Sequence, residues 1–135
     1  MVYDWSHLDK GDVLSEIVKR YPAKALVIDF WAPWCGPCIS AMDKIKLVKE
    51  KYKDVIFVYI ADVSSPRTLW NNQVKGIAGN HYYLSSAQME KIQKQMNFSS
   101  IPTYLIYNKQ GELKNHIVGF PGPEKFDEIL GNLEN

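Results

Sequence analysis

Two cysteines, Cys35 and Cys38, form one Cys-x-x-Cys in a chain that has no other cysteine. That spacing restricts the chemistry. A disulfide-stapled secreted scaffold needs several well-separated pairs. A structural zinc site needs four ligands, and the three histidines, His7, His81 and His116, lie far apart with no ligand spacing among them. Attachment of a c-type haem requires histidine directly after the second cysteine, where Ile39 stands. An iron–sulfur cluster would draw thiolates from a second chain. The expectation is therefore no metal and no cofactor, which leaves thiol–disulfide redox chemistry.

A pair of reactive sulfurs needs a rigid scaffold, and the composition supplies one. The 135 residues are 46% hydrophobic and 23% charged, with a net charge of +1. This length predicts one compact domain over 1–135 with a core large enough to dispense with disulfide staples. Near-zero charge argues against a nucleic-acid protein. No apolar run reaches the ~18 residues of a membrane span. Met1-Val2-Tyr3-Asp4-Trp5 lacks the basic-then-apolar layout of a signal peptide, so either the protein is cytosolic or a leader precedes the segment.

Residues 10–21 place Val13, Leu14, Ile17 and Val18 on one side, an amphipathic helix ended by Pro22. Residues 25–30 are apolar apart from Asp29, the pattern of a central strand covered on both faces. From Pro37 to Tyr52, Ile39, Met42, Ile45, Val48 and Tyr52 recur at helical spacing. The lysines of that stretch, Lys44, Lys46, Lys49, Lys51 and Lys53, read as its solvated side. Residues 55–60 are a second buried strand, closing a β-α-β unit with parallel strands and a right-handed crossover.

Residues 63–97 form an insertion. Within it, Ser65-Pro66-Arg67 starts a short helix, and Gly76, Gly79 and Asn80 mark a loop. Ser85 and Gln88 read as a capping box, with Leu84 and Met89 as the hydrophobic staple. Residues 104–107 and 113–118 flank the turn Asn108–Gly111 as a hairpin, and Gly122-Pro123 opens a last helix. The sum is an α/β/α sandwich on a mixed sheet. His81 reads as a loop residue with an ordinary hydrogen bond. Trp70, Tyr82 and Tyr83 read as core of the insertion, with a partner groove as the alternative.

Residues 28–38, Ile-Asp-Phe-Trp-Ala-Pro-Trp-Cys-Gly-Pro-Cys, closely resemble the active-site segment of the thioredoxin superfamily. Ser100-Ile101-Pro102-Thr103 resembles its cis-proline loop, and Gly111 and Gly119 stand where that family usually has glycines. The resemblance implies a thioredoxin-like three-layer sandwich. Two departures qualify it. The long 63–97 segment looks like the extracytoplasmic, membrane-anchored branch of the ResA/TlpA type. Plain thioredoxins also carry a lysine on the strand beside the buried acid, and residues 55–60 have none.

Cys35 falls at the strand-to-helix junction, where free backbone N–H groups and the helix dipole favour negative charge by roughly 0.3–2 kcal/mol. A thiolate is the attacking species, so Cys35 is the expected nucleophile and Cys38, one turn inside, the resolving thiol. Asp29 is expected to resist ionising and to exchange a proton with Cys38; an acid paired with a nearby lysine is the alternative. Trp34, Gly36, Pro37, Ile101 and Pro102 are the expected substrate-binding residues, with the Ile101 backbone pairing with the substrate chain.

The expected activity is reduction of protein disulfides, recharged by an upstream thiol donor. A disulfide oxidase or isomerase would use the same residues with the opposite poise. A peroxiredoxin-type peroxidase needs Thr or Ser where Ala32 stands, and a non-catalytic binding module would not need the intact Cys35, Cys38 and Pro102. The further expectations are a monomer, without nucleic acid, located outside the cytoplasm with a membrane anchor beyond this segment; a cytoplasmic location is the alternative.

Overall fold

A computed structural model describes residues 1–133; Glu134 and Asn135, the end of the expected 1–135 domain, lie outside the described residues. Eleven elements follow in order: β1 (Val2–Asp4), α1 (Val13–Lys19), β2 (Leu26–Phe30), α2 (Gly36–Lys51), β3 (Ile56–Asp62), α3 (Arg67–Val74), β4 (Asn80–Leu84), α4 (Ser86–Met96), β5 (Thr103–Tyr107), β6 (Leu113–Val118) and α5 (Pro123–Asn132).

The six strands form one sheet in the order β1-β4-β3-β2-β5-β6. The first four run parallel, and β5 and β6 are antiparallel to their neighbours. Strand β2 lies inside the sheet and all five of its residues are buried, which is why its sequence is continuous rather than alternating. Successive side chains leave the sheet on opposite sides. Val27, Phe57, Tyr59, Tyr83, Tyr104 and Ile106 meet α2, α3 and α5; Leu26, Ile28, Phe30, Ile60, Tyr82 and Leu105 meet α1 and α4. This is the expected three-layer sandwich.

Two strands, β1 and β4, depart from the sequence reading. Residues 80–84 are not loop but β4, which pairs with β3 on one side and β1 on the other. The aromatics of this segment are core: Trp70, Tyr82 and Tyr83 are each buried. His81 is likewise in a strand, buried and stacked on Tyr59 with ring centroids 5.0 Å apart. Its Nε2 meets the Ile77 carbonyl at 2.7 Å, and burial pulls its proton affinity below the usual histidine range. The capping box forms as read: Ser85 Oγ accepts from the Gln88 amide at 3.1 Å, and Gln88 Oε1 accepts from the Ser85 amide at 2.7 Å.

Candidate active site

Parallel β2 ends at Phe30, and the chain reaches the first turn of α2 within a few residues. The turn is held by the Trp31 amide donating to Ile60 O at 3.0 Å and the Cys35 amide donating to Ala32 O at 3.0 Å. Cys35 is the N-cap of α2, extended at φ −91° and ψ 98°. Its sulfur accepts from the Cys38 amide at 3.3 Å, taking the place that a Ser or Asp oxygen occupies in ordinary caps. Pro37 fits the first turn because its missing N–H would have had no helical partner.

The two sulfurs are joined as a disulfide, with Cα atoms 5.3 Å apart. Cys35 keeps 5% of its surface exposed and Cys38 only 1%. Trp34 beside them is 59% exposed, whereas Trp31 is packed beneath at 2%. A groove of about 680 Å³ starts at Gly36 and runs between α2 and the end of α3, bounded by Ile39, Met42, Gln73 and Ile77. A second cavity of about 660 Å³ lies at the other end of β2, around Leu26 and Tyr107; it contains none of the expected site residues.

Antiparallel pairing sets Thr103 of β5 opposite Phe30 of β2. The residues before β5 therefore emerge at the same end of the sheet as the residues after β2, which brings the 101–102 loop to the cysteine end. The Ile101–Pro102 peptide is cis. Pro102 O accepts from the Gly119 amide at 2.8 Å, and Ile101 packs against the core that contains Cys35 and Cys38.

Asp29 sits on the sheet face that meets α2, α3 and α5, directly between Tyr59 of β3 and Tyr104 of β5 in register. It is 2% exposed, and its Oδ1 has no hydrogen-bond partner among the described residues. Burial pushes its carboxyl well above the ordinary range, opposed by the positive charge of Lys49. Burial likewise pushes the Tyr59 and Tyr104 phenols up, so both stay neutral.

Lys49 was expected on the solvated side of α2. Instead it is half-buried, donates to Tyr59 Oη at 2.9 Å and to the Ala78 carbonyl, and lies 5.1 Å from the Tyr59 ring centroid. Lys49 follows Val48 and is four residues after Ile45, on the border of the buried stripe, a position compatible with either solvent or core. The lysine whose charge opposes burial at Asp29 is therefore on α2 and not on β3. Among the described residues, no group of three or more His, Cys, Asp or Glu side chains is placed to hold a metal ion.

The family model of the thioredoxin-like domain matches residues 16–134. The chain belongs to the thioredoxin-like family. It is 42% identical to chloroplastic thioredoxin F-type from Brassica napus, over 96% of this chain and 55% of that protein. Four curated relatives that match well are spanned by this chain over only 65%, 39%, 55% and 29% of their length. Among solved structures, the chain resembles a thiol:disulfide interchange protein from Chlorobium tepidum, with a TM-score of 0.72, 22% identity, and coverage of 87% and 84%. It also resembles the exposed lipoprotein thioredoxin Etrx1 from Streptococcus pneumoniae, with a TM-score of 0.63, 22% identity, and coverage of 87% and 88%. At these identities the structural likeness speaks for the fold.

Proposed function

We propose that this thioredoxin-like domain exchanges the Cys35–Cys38 dithiol with protein disulfides, acting as the reductant. The observation that carries the reading is the capped helix start: the Cys35 sulfur accepts the Cys38 amide, so a thiolate there meets a backbone donor and the positive end of α2. Cys35 thiolate attacks one sulfur of the substrate disulfide, forming a mixed disulfide and expelling a substrate thiolate that takes a proton from water. Cys38 then gives its proton to Asp29, directly or through water, and attacks Cys35 Sγ. The Cys35–Cys38 disulfide forms and the second substrate thiolate leaves. Two electrons pass to the substrate, and an upstream dithiol must return them before another cycle.

Asp29 suits the proton step because a carboxyl held up by burial gains and loses a proton nearer to neutral pH than a solvated one. Exposed Trp34, with Gly36 and Pro37, forms the docking rim. The Ile101 backbone beside cis Pro102 pairs with the substrate chain, a mode that tolerates many sequences. The domain works as a monomer over residues 1–135. An extracytoplasmic location with a tether outside this segment is in keeping with the lipoprotein neighbour; among the described residues no helix is long and apolar enough to cross a membrane.

The test is dithiothreitol-driven insulin reduction by wild type and Cys35→Ser, paired with a glutathione redox titration. The reading expects turnover that the variant lacks and a couple more reducing than glutathione. Equal rates would leave a binding module, and a couple well above glutathione would make the protein an oxidase.

A further inference from the structure

Lysine is a strongly hydrated cation on a flexible stem and ordinarily keeps its ammonium in water. Lys49 does not. Tyr59 Oη and the Ala78 carbonyl both accept from its Nζ, and the Phe57 and Tyr59 rings lie 5.2 and 5.1 Å from it. Each part of this clamp is itself fixed. Tyr59 is stacked on His81, whose Nε2 meets Ile77 O at 2.7 Å. The turn that supplies Ala78 fits against Tyr59 only because residue 79 lacks a side chain. A Cβ on Gly79 would lie 2.7 Å from Tyr59 Cε2 and 2.9 Å from Phe57 O, and its φ of +145° is itself unfavourable for other residues.

We propose that Lys49 is a positioning residue for Asp29: the 77–81 turn of the inserted segment and Tyr59 hold its ammonium against β3, the strand next to the one that carries the acid, so that the charged carboxylate is stabilised. Tyr59 is the register partner of Asp29, which places the clamp one strand from the carboxyl. The assignment rests on the reading that Asp29 exchanges the Cys38 proton, and it gives the inserted segment a task at the redox site. Tyr59 of β3 and Tyr104 of β5 flank Asp29 in register; α2 covers the same sheet face, bringing the cysteine pair into that core and Lys49 onto Tyr59. Trp70 of α3 and Phe126 and Leu130 of α5 complete that core without charge, and His81 lies one strand beyond. The positive charge of Lys49 opposes the effect of burial at Asp29, and the negative charge of Asp29 opposes it at Lys49, although burial prevails at both.

The test is a carboxyl carbon NMR titration of Asp29 in the full chain, for wild type, Lys49→Met, Lys49→Arg, Tyr59→Phe and Gly79→Ala. Lys49→Met is expected to move the Asp29 midpoint up by about half a pH unit, less than the roughly 1–3 units of a charge in direct contact. Lys49→Arg is expected to restore most of it. Gly79→Ala, which keeps the lysine but displaces Tyr59, should shift the midpoint the same way, and Tyr59→Phe should do so more weakly. If Gly79→Ala fails to fold, Tyr59→Phe decides whether the clamp matters. An unmoved midpoint in Lys49→Met, or an equal shift in Lys49→Met and Lys49→Arg, overturns the assignment. The titration does not depend on turnover, so a wild type that reduces no insulin would sink the proposed function while leaving this result readable.

Discussion

The two sides of the sheet are built to different standards. The side under α1 and α4 is mostly aliphatic, with Ile17, Leu26, Ile28, Phe30, Ile60, Leu84, Ile92 and Leu105 all at 1% exposure or less. Its buried Tyr82 hydroxyl is paired with that of Tyr21 at 2.6 Å. The side under α2, α3 and α5 is equally buried yet carries Asp29, Tyr59, His81 and Tyr104 in one row across the strands. The buried Asp29 Oδ1, Trp31 Nε1, Trp70 Nε1, His81 Nδ1 and Tyr104 Oη, all on this second side, have no partner among the described residues. Buried polar atoms left unpaired cost about 1–3 kcal/mol each, so one face tolerates a penalty that the other avoids. Natural folds accept such local costs chiefly where chemistry is done. The plain face holds the sheet together, and the mixed face works.

The largest way to break this contrast is at the sulfur. Cys35→Ser is expected to lower disulfide reduction by about 10³-fold or more, with the fold intact by circular dichroism. Leu105→Ala, on the plain face, is expected to cost about 2–5 kcal/mol in urea unfolding while the pH profile of exchange stays where it was. A moved profile there would mean that the two faces are not independent.

Asp29→Asn is the converse case. Exchange should slow about 10- to 100-fold, at the low end of general acid–base contributions, and lose its pH dependence. Stability should rise. Burial makes the folded state hold the Asp29 proton to higher pH than the unfolded chain does. Wild-type stability is therefore greatest below the unfolded carboxyl range and falls as pH increases through the folded-state titration. The asparagine variant lacks that fall, so at pH 8 the oxidised variant should be more stable by on the order of 1 kcal/mol or more, with the advantage gone near pH 4. Equal stability of the two proteins across that range would show that the acid is not desolvated. The smallest effect is expected at the α4 cap on the plain face: Ser85→Ala should cost about 1 kcal/mol and leave exchange unchanged.

Much of this was legible from local pattern. The α2 stripe, the buried β2 run, the Ser85–Gln88 box and the 108–111 hairpin each follow from spacing that neighbours along the chain decide. Cys35 was readable as a helix cap because the strand ends and the Pro37 helix start bracket it. β4 was not, since Asn80–Leu84 follows Gly79 and shows neither alternation nor length; only pairing with β1 and β3 makes it a strand. β1, three residues long, is a strand for the same non-local reason. Lys49 was hidden differently. Its helix position allows either solvent or core, and the choice is made by a tyrosine on β3 and a carbonyl far along the chain, neither of which spacing within α2 reveals.

Helix α2 bears the resolving thiol in its first turn and the clamped ammonium close to its last. At about 1.5 Å per residue the backbone positions of the two residues are roughly 16 Å apart along one stiff rod. Its far end is moored to the sheet and the 77–81 turn through the Lys49 ammonium. The charge that opposes burial at the acid is thus anchored at the end of the helix remote from the disulfide.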